Sequence, residues 1–146
     1  MSTSMTVEER EAFLREAHIG VLSIPEPGKG PLSSPVWYDY VPGGKIWFLT
    51  QNTARKGQLL SVGNRVSFLV QTTTAPYKYV SIEGPVSHIG PSDRLNDLQP
   101  MAQRYLGERG GEDYANALAE RYAQGNAIKI EIRPERWLTL DYEKCG

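Results

Sequence analysis

Cysteine is nearly absent from this chain of 146 residues, which contains only Cys145. A single cysteine excludes a disulfide framework within the chain and is typical of proteins from a reducing compartment. No apolar run approaches the roughly 18 residues that a membrane-spanning helix needs. The first ten residues are polar and acidic, unlike a signal peptide. We therefore expect a soluble, cytoplasmic domain.

An excess of either charge is also lacking, because 16 basic residues stand against 17 acidic ones. That balance gives no general attraction to nucleic acid or to an anionic membrane. Histidine is scarce, and no Cys, Asp or Glu has metal-ligand spacing to His18 or His88, so we expect no metal site. The glycine loops of nucleotide-binding folds and the nucleophile elbow of hydrolases are missing as well.

The pattern that is present is mainly β. The length suits one domain with one core, and we expect about six or seven strands joined mostly by hairpins. Alternation is clearest over Leu32–Tyr40 and Arg65–Thr72, whereas helices are concentrated between Ser92 and Gln124. Strands and helices do not alternate regularly, which disfavours a parallel doubly wound sheet. The sequence predicts a closed or half-closed antiparallel β-barrel with peripheral helices, as one domain over residues 1–146.

Local signals predict where several elements begin and end. Thr6 and Glu9 form a capping box that predicts a helix running to about Ala17. Gly84, followed by proline, predicts a bulge or sharp bend inside a long strand. The glycine-rich stretch Gly107–Gly111 predicts a loop between two helices.

The most informative segment is Thr50–Leu60, which follows a strongly β-like run and opens a short predicted helix. Backbone N–H groups at a helix start, together with the helix dipole, favour an anion. Arg55 can bind two phosphate oxygens through its guanidinium group, and Lys56 adds a second positive charge. The alternative is that both are ordinary solvated charges, although two cations in a first turn weakly oppose the dipole. The segment predicts a bound phosphate group.

With the order of strands around it, this segment resembles the phosphate-binding motif of the pyridoxamine 5′-phosphate oxidase-like split β-barrels. Residues 53–60 read Thr-Ala-Arg-Lys-Gly-Gln-Leu-Leu, with Arg55 and Lys56 in the two basic positions. Val80–Gly84 and Ile130–Trp137 are similar to two further strands of that family. The resemblance implies the FMN-binding split-barrel fold, and a homodimer whose cofactor clefts lie between the two chains.

The resemblance also implies which residues contact the cofactor: Val36, Trp37 and Tyr38 of the second strand, Thr50 at the end of the strand before the phosphate segment, and Arg55, Lys56 and Gly57 of that segment. Ser34, Gln51, Lys78 and Tyr79 are further candidates for cofactor contact, with ordinary strand, turn and solvated roles as the alternatives. The catalytic residue stays unassigned because the redox chemistry belongs to the cofactor. If a proton donor is needed, Tyr38 or Tyr79 is the candidate.

The resemblance implies an oxidoreductase that passes a hydride between FMN or the deazaflavin F-420 and a small unsaturated substrate. The Arg-Lys-Gly motif echoes the FMN branch, whereas the compact chain, helical insert and Pro-Glu-Arg-Trp ending favour F-420. Lys29, Lys45 or Lys78 could meet the acidic F-420 tail.

Three alternatives stay open. One is a non-catalytic carrier of FMN, F-420 or a tetrapyrrole, and another is a dimerisation domain without a cofactor. The third is a true pyridoxamine 5′-phosphate oxidase. Two departures from the family pattern argue against that third function. Lys78 and Tyr79 replace an arginine and a flavin-contacting glutamine, and the arginine-rich C-terminus is missing.

Overall fold

The computed structural model describes residues 2–145, and an antiparallel eight-stranded sheet forms its centre. The strands are β1 (Gly20–Ile24), β2 (Leu32–Val36), β3 (Asp39–Tyr40), β4 (Ile46–Gln51), β5 (Arg65–Gln71), β6 (Lys78–Pro91), β7 (Ala127–Ile132) and β8 (Arg136–Asp141). The α-helices are α1 (Val7–Arg15), α2 (Arg55–Leu59), α3 (Gln99–Ala117) and α4 (Ala119–Ala123). A mainly β split barrel with peripheral helices is therefore confirmed.

The barrel is open beside β2. The strand order is β2-β1-β5-β6-β7-β4-β3, with β8 paired to β6 beside β7. Strands β2 and β3 lie at opposite ends of this path, although only Trp37 and Tyr38 separate them in the chain. The single strand predicted over Leu32–Tyr40 is therefore two strands, because β2 pairs with β1 whereas β3 pairs with β4.

Strand β6 is long and changes partner halfway. Its first half pairs with β8 and its second half with β7, with a register shift between Val86 and His88. Gly84 lies at the change, where a Cβ atom would collide with the carbonyl oxygen of Arg133 in the β7–β8 turn. A bulge in this strand is confirmed, but it lies between Val86 and His88 and not at Gly84. At Gly84 itself, only glycine allows this approach of two backbones.

Alternating apolar side chains fill the barrel, as the sequence pattern predicts. Val66, Phe68 and Val70 of β5 are buried, and the residues between them are more exposed. Tyr38 meets Phe68 edge-on, with ring centroids 5.6 Å apart. Burying each large apolar side chain contributes about 1.5–3 kcal/mol, so this core supplies most of the driving force for folding.

The capping box of α1 forms as predicted. Thr6 Oγ1 accepts the backbone N–H of Glu9 at 3.1 Å, and Glu9 Oε1 accepts that of Thr6 at 2.8 Å. The helix ends at Arg15, two residues before the predicted end. Its backbone is extended at the next residue because the chain turns there towards β1.

A helical insert, Arg94–Ala123, connects β6 to β7. It begins with a π-helical turn over Arg94–Leu98 and continues through α3 and α4. The predicted break between two helices is confirmed at Gly107, where φ is 83° and ψ is 172°, but it is a sharp kink within α3 and not a loop over Gly107–Gly111. Gly111 packs against Gln103, where a Cβ atom would collide, so the two arms of α3 lie close together.

Candidate functional site

A cleft of about 220 Å³ lies at the open edge of the barrel, beneath the helical insert. Three parts of the chain form it. The barrel and α2 contribute Pro35, Val36, Trp37, Leu49 and Lys56, and the insert contributes Leu98, Met101 and Tyr114. The lining is mostly apolar and aromatic with a single charged group, which is the composition typical of cofactor sites.

Lys56 is the charged group of this cleft. It is half-buried, and its Nζ donates a hydrogen bond to Ser34 Oγ of β2 at 3.1 Å. Within residues 2–145, no carboxylate lies at ion-pair distance from this ammonium. Burial lowers the pKa of Lys56, because leaving water disfavours the charged form. An anion bound in the cleft would supply the missing counter-charge.

Arg55, the neighbouring cation, points elsewhere. Its guanidinium forms an ion pair with Glu26 in the β1–β2 loop, and the ammonium of Lys29 lies 3.8 Å from the same carboxylate. The sequence predicts that Arg55 and Lys56 hold one phosphate together. The structure places only Lys56 on the cleft wall and gives Arg55 an internal partner.

Helix α2 positions Lys56 but contributes little dipole. It is a single turn of five residues, and its N-cap, Ala54, makes no side-chain hydrogen bond. The predicted role of this helix N-terminus in holding an anion therefore stays a prediction. Gly57 matters instead for packing, since a Cβ atom there would collide with the carbonyl oxygen of Gln51. This close approach holds α2 against the end of β4 and keeps Lys56 beside the cleft.

Trp37 and Tyr38 follow β2 and face opposite ways. Trp37 lines the cleft and stacks on Tyr105 of α3, with centroids 4.9 Å apart and planes 7° apart. Tyr38 is fully buried, and its hydroxyl lies 3.0 Å from the carbonyl oxygen of Leu14 and 3.1 Å from that of Glu16. Burial raises the pKa of Tyr38 well above its usual value. A phenol held in this way cannot donate a proton to a ligand in the cleft.

Other predicted contact residues lie away from the cleft. Leu49 lines it, so Thr50, the next residue of β4, faces the opposite side of the strand. Gln51 ends that strand and supplies the carbonyl that packs on α2. Lys78 Nζ lies 3.2 Å from Glu143 Oε2, at a different cleft.

Tyr79 lies on the outer face of the sheet, half-buried and pointing away from the core that Val80 enters. The other cations predicted to receive an acidic cofactor tail are paired as well. Lys29 approaches Glu26, and Lys45 Nζ lies 3.3 Å from Glu131 Oε2. The structure therefore brings Ser34, Val36, Trp37 and Lys56 together and disperses the rest.

The insert supplies the residues that the sequence analysis missed. Leu98, Met101 and Tyr114 cover the cleft, and Arg104 anchors them to the barrel. Arg104 donates to the carbonyl oxygens of Tyr38 at 2.9 Å and Glu16 at 2.8 Å. Spacing along the insert predicts an apolar stripe, but nothing in it reveals that this stripe covers a cleft.

Two features are absent from the described residues 2–145. They contain no group of three or more His, Cys, Asp or Glu side chains placed to hold a metal ion. None of their helices has both the length and the apolar character needed to cross a bilayer.

This geometry agrees with comparisons to known proteins. The family model described as pyridoxamine 5′-phosphate oxidase matches residues 6–141. The chain therefore belongs to the pyridoxamine 5′-phosphate oxidase-like family, as the motif over residues 53–60 predicts. No curated protein sequence matches it.

Solved structures share the fold at low sequence identity. The conserved hypothetical protein Rv2991 from Mycobacterium tuberculosis is 22% identical with a TM-score of 0.76, covering 100% of this chain and 91% of that one. An F-420 reductase is 19% identical with a TM-score of 0.61, covering 88% and 94%. HutZ, a haem storage protein from Vibrio cholerae, is 19% identical with a TM-score of 0.62, covering 93% and 96%.

Proposed function

We propose that this protein is an oxidoreductase that binds a flavin or deazaflavin in the cleft beneath the insert, through the cofactor's phosphate group. The observation that carries the proposal is the ammonium of Lys56. It is half-buried, bonded to one hydroxyl, and without a carboxylate partner in residues 2–145. Such a charge is costly to desolvate unless an anion joins it.

The remaining walls suit a flat heterocycle. Trp37, stacked on Tyr105, offers a broad aromatic surface, and Met101 adds an adaptable thioether opposite the barrel. Lys56 and Tyr114 are the titratable side chains of the lining. When bound, the cofactor supplies the hydride chemistry. The chain's own residues orient the ring and exclude water from it.

A second copy of the chain completes the site in this proposal. Ligand pockets usually enclose about 300–1,000 Å³, whereas this cleft encloses about 220 Å³. An apolar row crosses the outer face of the sheet from Val21 to Leu69 and, beyond one serine, to Leu138, which is 60% exposed. Exposed apolar rows of this kind are typical of protein interfaces. We therefore propose a homodimer that pairs through this face.

Leu138→Asp tests the homodimer. It should convert the protein to a monomer in sedimentation velocity and weaken cofactor binding at the same time, because a carboxylate would be desolvated at the interface. Val62→Asp is the control, since Val62 is 64% exposed but lies in the turn before β5. A Leu138→Asp protein that sediments like wild type would remove this interface from the proposal.

Fluorescence titration of FMN and F-420 tests the cofactor site. Lys56→Ala should weaken binding of the preferred cofactor by about 1–3 kcal/mol, the cost of losing a charged hydrogen-bond partner. Lys144→Ala is the matched control because it also removes one positive charge, but Lys144 Nζ lies 2.6 Å from Glu9 Oε1, away from the cleft. Equal affinities of wild type and Lys56→Ala would contradict the proposal.

We propose F-420 ahead of FMN because the compact chain, the helical insert and the Pro-Glu-Arg-Trp ending resemble the small deazaflavin-using members of the family. Substrate turnover separates an enzyme from a carrier. An oxidoreductase should exchange the redox state of its bound cofactor with an unsaturated small molecule, followed by absorbance. A carrier should bind with the same affinity and leave that redox state unchanged.

A further inference from the structure

Glu26, in the β1–β2 loop, holds Arg55, the cation next to Lys56 in the chain. Its side chain is 13% exposed, whereas that of its partner Arg55 is 54% exposed, so the carboxylate is the more buried member of the pair. Lys29 lies 3.8 Å from the same carboxylate. Glu26 therefore pairs with Arg55 and attracts Lys29, and it leaves the ammonium of Lys56 uncompensated at the cleft.

The two cations of α2 reach different parts of the β1–β2 hairpin. Arg55 contacts Glu26 in the loop, whereas Lys56 contacts Ser34 on β2. The cleft lining includes Lys56 but neither Arg55 nor Glu26. An anion in the cleft thus meets one ammonium and one hydroxyl, while Glu26 holds the guanidinium of Arg55 at the β1–β2 loop.

Phosphate esters differ in how much they need that second cation. A terminal phosphate, as in FMN, carries close to two negative charges at neutral pH because its second pKa is about 6. A phosphodiester, as in F-420, carries one. Lys56 alone balances a diester, whereas a terminal phosphate has a second charge that only a bidentate guanidinium would balance well. Glu26 competes with the phosphate for that guanidinium.

We propose that Glu26 makes the cleft selective for phosphodiesters over terminal phosphate groups, by holding Arg55 outside the anion site. This inference rests on the proposed function, in which Lys56 binds the phosphate of a redox heterocycle. Glu26 is then a specificity-determining residue that touches neither ring nor phosphate.

Glu26→Gln tests the inference, because it removes the charge and keeps the shape. Three probes, all used at pH 8, share one ring and one ribityl chain and differ in the phosphate group. They are riboflavin without phosphate, the monomethyl phosphodiester of FMN, and FMN with its terminal phosphate. If F-420 is the tighter ligand, the series is built on the 5-deazaflavin ring. Glu135→Gln is the matched control, since Glu135 pairs with Arg65 at 2.6 Å and Arg133 at 3.0 Å.

We expect wild type and Glu135→Gln to bind the methyl ester at least as tightly as FMN. Glu26→Gln should bind FMN about tenfold more tightly than wild type, which corresponds to one freed charged contact. Its affinity for the methyl ester should change by less than about twofold. The gain for FMN should disappear in the double variant Glu26→Gln/Arg55→Gln, which shows that the guanidinium provides it.

Two results would overturn the inference: an affinity ratio of the two esters that Glu26→Gln leaves unchanged, or weaker binding of both esters. Equal gains would mean that Glu26 acts only through long-range charge. Failure of the proposed function looks different, because Lys56→Ala would then bind the phosphate probes and riboflavin with wild-type affinities. Thermal melts of each variant separate these outcomes from misfolding.

Discussion

Two small clefts of similar size, about 220 and 250 Å³, each have a lysine in their walls, but the two lysines differ in their partners. Lys56 donates a hydrogen bond to the hydroxyl of Ser34, and the rest of its cleft is mainly apolar. Lys78 lies 3.2 Å from Glu143, and its cleft also contains the carboxylates of Glu16 and Asp141. The carboxylate beside Lys78 raises its pKa, whereas burial lowers that of Lys56. The two clefts therefore differ in charge compensation and not in size, which is why we propose the Lys56 cleft as the binding site.

The two clefts also differ in what covers them. The insert covers the Lys56 cleft, whereas α1 borders the Lys78 cleft. The insert is held by Arg104, whose guanidinium donates to carbonyl oxygens at the end of α1 and to that of Tyr38. If this anchor is lost, we expect the Lys56 cleft to open. The Lys78 cleft should keep its walls, because the insert does not line it.

The largest expected effect is that of Arg104→Met. It removes the hydrogen bonds that Arg104 donates to the carbonyl oxygens of Leu14, Arg15, Glu16 and Tyr38, and we expect the free energy of unfolding to fall by about 2–4 kcal/mol. Urea denaturation measures this loss. Arg94→Met is the control in the same insert, because Arg94 makes one good side-chain hydrogen bond, 3.1 Å to Asn116. Equal losses for both variants would mean that Arg104 is not the anchor.

A smaller effect is expected from Gly57→Ala. The added Cβ collides with the carbonyl oxygen of Gln51, so α2 must move away from β4 and carry Lys56 with it. We expect about 1–2 kcal/mol lower stability and weaker cofactor binding in the fluorescence titration. Gly30→Ala, with open space around the new Cβ, should change neither. Wild-type affinity in Gly57→Ala would show that the position of α2 does not matter for binding.

The barrel could be predicted from the sequence because its signals are local. Alternation over β5 and the Thr6–Glu9 capping box each involve residues a few positions apart. A bulge in β6 was predictable to within a few residues, but the reason for glycine at Gly84, contact with the backbone at Arg133, lies far along the chain.

The cleft could be predicted only in part. The family motif identifies Lys56 as a phosphate-binding candidate. No sequence pattern indicates that Glu26, 29 residues before Arg55, forms an ion pair with it. Alternation predicts that Trp37 and Tyr38 face opposite ways, yet it cannot tell which faces the cleft. Met101 and Tyr114 reach the cleft only because α3 folds over the barrel, which is a tertiary event.

The most direct test of the central claim is an NMR titration of the Lys56 side chain, followed through its ¹³Cε shift and assigned with Lys56→Arg. In the free protein the pKa of Lys56 should lie below the ordinary lysine value of about 10.4, because burial penalises the charge. Saturation with FMN or F-420 should raise it, since a bound anion stabilises the ammonium, and affinity should fall as pH rises through the free-protein value. A Lys56 pKa that saturating cofactor leaves unchanged would contradict the account.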